Sequence, residues 1–257
     1  MKQTNTKSPI QEKPLRYPAQ SLDEKLEKLI NDDALMHILG ALVFILLAIS
    51  SWIFTLLKTF PNPMILTVAA VIVTAHSIYK VMKLKKEIRM YKQGRDGERE
   101  VGMNLELLRE KGIKVYHDIL CKDFNIDHIL VGEQGIFVIE TKTYSKPIKG
   151  KCEITYDGKT LSYNGDKKSD KPLSQAKANA TWVKNYIKNS SGKDFNVKPV
   201  VVFPGWFTKS MVPQKDIWVL NPKALETFIS NTPCNLSKED VYLISNRIEM
   251  YIRNFQK

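Results

Sequence analysis

Asn125-Ile126-Asp127-His128-Ile129-Leu130-Val131-Gly132-Glu133-Gln134-Gly135-Ile136-Phe137-Val138-Ile139-Glu140-Thr141-Lys142 decides how the chain folds. Two runs rich in β-branched and aromatic residues flank a turn bounded by Gly132 and Gly135, the signature of a β-hairpin. With a two-residue loop at Glu133-Gln134, Val131 faces Ile136, and counting outward brings Asp127 opposite Glu140. Strand side chains alternate, so Asp127, Ile129 and Val131 share a face, as do Ile136, Val138, Glu140 and Lys142 on the partner. Directly opposed Cβ atoms lie roughly 4.5–5.5 Å apart, so two carboxylates meet at the end of an apolar sheet face. Like charges so placed repel, and a hard divalent cation held by their oxygens would remove the penalty. Lys142, two residues on, brings an ammonium to the same face. The alternative is an exposed hairpin end with a balancing lysine. Against it stand Ile126, Ile129, Val131, Ile136, Val138 and Ile139, which imply burial on both faces.

Outward from the hairpin the chain reads as mixed α/β. Gly94-Arg95-Asp96-Gly97 punctuates a junction, after which Glu98 to Lys111 has helical spacing with Val101, Leu105 and Leu108 on one stripe. Glu98 extends that stripe, either as a helix-start charge favoured by the dipole or as a functional carboxylate. Val115 to Leu120 is a predicted strand. Leu173 to Lys188 is a predicted helix with Ala176, Ala180, Val183 and Ile187 inward. Val200 to Phe203 and Ile217 to Leu220 are predicted strands, and Pro222 to Ile229 and Lys238 to Phe255 predicted helices. Lys146, Lys149, Lys151, Lys159, Lys167, Lys168, Lys171 and Lys177 interleave with Tyr156 and Tyr163. They form either a basic, aromatic-bearing flap suited to a phosphate backbone or a solvated hairpin. His117 has no evident partner, and His128, on the face opposite Asp127, reads as structural.

An Asp on one strand and Glu-x-Lys on the next resembles the PD-(D/E)xK nuclease superfamily. The fuller pattern is similar to the nuclease-related domain (NERD) family. It comprises Gly97-Glu98 opening a helix, Ile126-Asp127-His128-Ile129, Gly135-Ile136-Phe137-Val138-Ile139-Glu140-Thr141-Lys142 and Pro172-Leu173-Ser174-Gln175 opening a later helix. The resemblance spans roughly Arg95 to Tyr186 and continues more weakly through Lys198-Pro199-Val200-Val201-Val202-Phe203. It implies a restriction-endonuclease-like mixed sheet with flanking helices. It also implies Asp127 and Glu140 as metal-binding carboxylates, Lys142 as the residue that orients water or steadies phosphate charge, Glu98 as an accessory carboxylate and Gln175 at the rim. For Gln175, a plain polar role in a helix's first turn stands beside that one. The cofactor so implied is Mg²⁺ or Mn²⁺, and the reaction phosphodiester hydrolysis. No proline immediately precedes Asp127, a departure from the superfamily's eponymous motif.

Upstream, Ala34 to Leu57 contains no Asp, Glu, Lys or Arg, and a second apolar run extends from Met64 to Tyr79. A spanning helix needs roughly 20 apolar residues. The first run meets this, and the second does when counted from Phe60 to Met82 with Lys80 snorkelling. Lys58-Thr59-Phe60-Pro61-Asn62-Pro63 between them predicts a tight turn and hence a two-helix transmembrane hairpin. Lys and Arg crowd both flanks while the turn holds only Lys58, which puts both termini and the nuclease-like domain on the cytoplasmic side of the cell membrane. Met1 to about Gln20, with Pro9, Pro14 and Pro18, reads as disordered, and Ser21 to Leu29 as a short amphipathic helix. The partition is a cytoplasmic N-terminal tail (1–33), a hairpin (34–82), a basic juxtamembrane linker (83–93) and a nuclease-related domain (94–257).

The net charge is +12, from 39 Lys and Arg against 27 Asp and Glu, which suits nucleic acid or anionic headgroups as partner. Cys121, Cys152 and Cys234 are odd in number and lack CxxC spacing, which argues against a disulfide framework and leaves a zinc cluster unsupported. Three functions follow: a membrane-anchored metal-dependent nuclease, a module that binds nucleic acid without cutting, and a basic scaffold on the lipid bilayer.

Overall fold

The chain divides into two units, Ser21–Arg95 and, with the chain up to Gln20, Asp96–Lys257. The computed structural model describes residues 15–57, 63–147, 152–163 and 167–255. The expected turn at 58–62, Lys149 and Lys151 of the basic run, and the tail before Leu15 therefore lie outside the described residues.

In the first unit, α1 (Gln20–Lys28) continues through a π-helical turn (Leu29–Ala34) into α2 (Leu35–Leu56). The predicted amphipathic helix exists, but as the start of a longer one. After Pro63, α3 (Met64–Glu106) begins. The helical stretches Gln20–Leu56 and Met64–Lys111 are each long and apolar enough to cross a membrane. Large apolar side chains such as Leu39, Leu46, Ile65 and Ile72 stand exposed, while within 34–57 and 64–79 the buried positions are small: Ala41, Ala48, Ser51, Ala70 and Ser77. Small residues let helix backbones approach closely. The Trp52 indole N–H donates to the Thr67 hydroxyl at 2.9 Å.

The boundary between the units falls within the expected junction at Gly94–Gly97, but no helix break marks it: α3 passes through both glycines. Glycine inside a helix costs about 1 kcal/mol relative to alanine. At Gly97 the cost has a steric reason, because a Cβ there would lie 2.1 Å from the Thr143 hydroxyl. The helix thereby closes onto the chain leaving the hairpin. Leu107–Lys111 is a 3₁₀ turn rather than α-helix, ended by Gly112 at φ +80.

The second unit contains two mixed sheets. The larger has the order β1-β2-β3-β7-β9, formed by Lys114–Leu120, Asn125–Gly132, Gly135–Thr141, Val197–Val202 and Trp218–Leu220. Its first three strands are antiparallel, and β3, β7 and β9 run parallel, with α4 (Lys171–Ser191) within the β3–β7 connection. The expected register holds: Val131 pairs with Ile136 and His128 with Ile139. One sheet face packs on α4 and α6 (Lys238–Phe255) through Ile129, Val131, Ile136 and Val138 against Val183, Ile187, Ile244 and Ile248. The other packs on α3 and α5 (Pro222–Ser230) through Leu130, Phe137, Ile139 and Val200 against Val101, Leu105, Leu225 and Ile229. Burial on both faces explains the unbroken apolar runs in β2 and β3.

The smaller sheet has the order β6-β5-β4-β8, from Lys167–Ser169, Leu161–Tyr163, Glu153–Tyr156 and Phe207–Ser210. It is built largely from the stretch rich in lysine and tyrosine. Tyr156 is buried in a cluster with Ile154, Leu161, Leu173, Phe203 and Trp206, and Tyr163 stacks on Tyr144 at 4.4 Å between ring centroids. Lys146, Lys159, Lys167, Lys168, Lys171 and Lys177 are exposed, so the charge of that region is kept on its surface.

Candidate active site

Because β2 and β3 keep the register set by their two-residue loop, Asp127 and Glu140 occupy facing positions one step beyond the His128–Ile139 pair. Asp127 is half-buried, and its Oδ2 accepts the Thr141 backbone N–H at 2.7 Å. Glu140 is 1% exposed. Its Oε1 accepts from the Lys142 ammonium at 2.5 Å and its Oε2 from the Asn179 amide at 3.1 Å. Lys142 also donates to the Gln175 side-chain oxygen at 3.0 Å. The N-terminal part of α4 thus closes over the strand ends, and Gln175 and Asn179, four apart, lie on one face of it.

Glu98 arrives from α3, on the opposite side of the sheet, and is buried. Its Oε1 accepts the backbone N–H of Ala19 at 2.9 Å. The five residues expected from sequence, Glu98, Asp127, Glu140, Lys142 and Gln175, are therefore gathered around one end of the larger sheet. Two neighbours were not expected. Asn179 lay in the sequence four residues beyond Gln175, where the helical repeat could have revealed it. Asp118, 1% exposed, stands opposite Asp127 between the pairs His117–His128 and Ile119–Ile126. Its φ of +47 interrupts β1.

The electrostatics are those of acids crowded away from water. Burial, then Asp118, lift Glu98 from its ordinary 4.5 to about 8, and the Ala19 N–H opposes them. Burial first, then Glu140 and Glu98, raise Asp127 well above the usual carboxylate range. Burial raises Glu140, while the Lys142 ammonium pulls it back. An acid whose folded pKa exceeds its unfolded value keeps its proton longer in the native state, so stability falls as pH rises between the two values. For Glu98 this window runs from 4.5 to about 8. The protein in EDTA is expected to melt at progressively lower temperature from pH 5 to pH 8, and saturating Mg²⁺ should flatten or reverse that slope. Scanning calorimetry in detergent checks both, and a melting temperature in EDTA that rises toward pH 8 would contradict the coupling.

The histidines lie apart from these acids. His117, expected to lack a partner, is corrected: its Nδ1 meets His128 Nδ1 at 2.8 Å and its Nε2 meets Glu106 Oε1 at 2.6 Å. Burial lowers the pKa of both rings. Among the described residues no three His, Cys, Asp or Glu side chains converge to hold an ion.

Comparison with known proteins bears on the same residues. Positions 93–204 match the family model of the nuclease-related domain, NERD, a member of the PD-(D/E)xK-like superfamily. No curated protein and no solved structure matches the chain.

Proposed function

From a chain whose residues 93–204 carry a nuclease-related domain, we propose a metal-dependent nuclease that hydrolyses phosphodiester bonds of nucleic acid at a membrane surface. The observation that carries this is the facing pair of half-buried Asp127 and buried Glu140, whose charges repel and which Lys142 bounds. The domain, proposed to extend from residue 94 to the C-terminus, would have a restriction-endonuclease-like larger sheet.

Asp127 and Glu140 would hold Mg²⁺ or Mn²⁺, and their fit rests on hard oxygen donors with unrelieved charge. Asp127 Oδ2 is engaged by Thr141, and its Oδ1 accepts no hydrogen bond among the described residues. When bound, the ion polarises a phosphoryl oxygen and lowers the pKa of a coordinated water. Lys142, held between Glu140 and Gln175, places a fixed positive charge for the phosphoryl oxygens. Asn179 fixes the rotamer of Glu140. Glu98, lifted to about 8 by burial and Asp118, would reach the pair from the far side of the sheet as an accessory carboxyl group, and Gln175 keeps Lys142 at the rim. The exposed lysines of the smaller sheet and of early α4 would track the phosphate backbone by charge alone.

The two apolar helical stretches support anchoring as a two-helix transmembrane hairpin, multi-pass, with both termini and the nuclease-like domain cytoplasmic. The basic flanks would meet anionic headgroups. The test uses the full chain in detergent micelles with plasmid DNA and single-stranded RNA. Mg²⁺ or Mn²⁺ should produce cleavage that EDTA abolishes. Binding of both substrates with no cleavage under any divalent cation would replace the enzyme by a binding module.

A further inference from the structure

The residues ahead of the first apolar stretch, expected to be disordered, contradict that expectation from Leu15 onward. Leu15 packs against the core beneath α4 and α6. Arg16 donates from Nε and Nη2 to Asp118 Oδ2 at 2.9 and 2.7 Å, and both side chains are almost wholly buried. The Tyr17 ring lies 6.0 Å from the Arg99 guanidinium. Pro18 presses on α3 so closely that a Cβ on Gly102 would come within 2.3 Å of its Cγ. Ala19 is fully buried at φ +61. That conformation costs a residue with a Cβ roughly 1–2 kcal/mol and persists only where surroundings impose it. Here it accompanies the N–H that Ala19 donates to Glu98.

We propose that Leu15–Ala19 is a strap belonging to the active site, with Arg16 and Ala19 as positioning residues that set Asp118 and Glu98 beside the metal-binding pair. This rests on the nuclease reading above. Asp118 faces Asp127, which faces Glu140, so three acids cross three neighbouring strands at one level. Lys142 supplies a cation at the Glu140 end of that row, and Arg16 supplies one at the Asp118 end. Arg16 thus keeps Asp118 from competing with Asp127 for a cation, and Ala19 keeps Glu98 turned away from direct ligation. A segment outside residues 93–204 would then decide the charge and geometry of the site within them.

The full chain in detergent provides the test, with two separate readouts: the cleavage rate at saturating Mn²⁺, and the half-saturating Mn²⁺ concentration titrated without nucleic acid from the loss of the free-ion electron paramagnetic resonance signal. Arg16→Ala should lower the rate roughly 10- to 100-fold, the scale of a misplaced catalytic group. It should also lower the half-saturating Mn²⁺, since a buried cation has gone and Asp118 can turn inward. Asp118→Asn in the Arg16→Ala background should return the half-saturation toward wild type. Arg16→Lys, which keeps the charge but not the forked geometry, should fall between. Gly102→Ala, which dislodges Pro18 without altering any charge, should reduce the rate should Arg16→Ala fail to fold. Wild-type rates in both Arg16→Ala and Gly102→Ala would overturn the strap, as would a rate loss in Arg16→Ala with unmoved metal dependence and no rescue by Asp118→Asn. Asp127→Ala cutting as fast as wild type would instead overturn the nuclease reading, and the strap's role with it.

Discussion

Asp127→Asn is expected to reduce metal-dependent cleavage on the order of 10³-fold while raising the melting temperature of the protein in EDTA. The loss follows from removing one of two carboxylates able to hold the ion, whose stabilisation of the transition state amounts to several kcal/mol at about 1.4 kcal/mol per tenfold. The gain follows from the same geometry. Asp127 is raised well above the ordinary range because burial and the charges of Glu140 and Glu98 oppose its ionisation. An amide of the same shape keeps an oxygen to accept the Thr141 N–H and carries no charge to repel its neighbours. A residue chosen for folding alone would not behave so, since removing it would lower the melting temperature or leave it unchanged. Parallel cleavage assays and calorimetry on the variant decide the matter, and a cleavage loss below tenfold would remove Asp127 from the site.

Trp206→Ala is expected to cost about 3–5 kcal/mol, the range for truncating a buried tryptophan. Trp206 is fully buried where β4, β5, α4 and β7 meet. Its indole N–H donates to the Tyr144 carbonyl at 3.2 Å, and its own carbonyl accepts the Asn221 amide at 2.7 Å. Tyr144 is two residues beyond Lys142, so the indole tethers the chain that leaves β3. Denaturant unfolding of the full chain should register the loss. Trp206→Phe, which keeps most of the volume and forfeits the indole hydrogen bond, should cost nearer 1 kcal/mol from that bond. A smaller cost for Ala than for Phe would contradict this packing.

The hairpin was legible because its register is fixed locally: a two-residue loop leaves no freedom in which residues face each other, so Asp127 and Glu140 follow by counting. The helices α4, α5 and α6 were legible for a similar reason, each having an apolar stripe and an end signal: Pro172 and Gly192 for α4, Asn221 and Pro222 for α5, and Ser237 for α6. Asp118 was hidden because its position opposite Asp127 depends on a longer β1–β2 connection and on a positive φ that no apolar pattern signals. The smaller sheet was hidden because strands of three or four residues are too short to show alternation. Only tertiary burial distinguishes Tyr156 from a surface tyrosine among lysines. The strap was hidden most completely: its prolines and polar residues have the composition of a disordered tail, and its order comes from Asp118, 102 residues away.

The contact between Arg16 and Asp118 also has a temporal meaning. During synthesis the strap emerges first and must wait for both apolar stretches and then β1 before its partner exists. The unit formed by the chain up to Gln20 with Asp96–Lys257 is therefore split in sequence, and its last seam closes only after both apolar stretches have been made. Closing a loop of that length costs chain entropy that grows only slowly with length, so the delay is kinetic more than energetic. A truncated protein begun at Gln93 to gain solubility would carry every residue of the family match yet omit that seam, and silence from such a fragment would say little about the full chain.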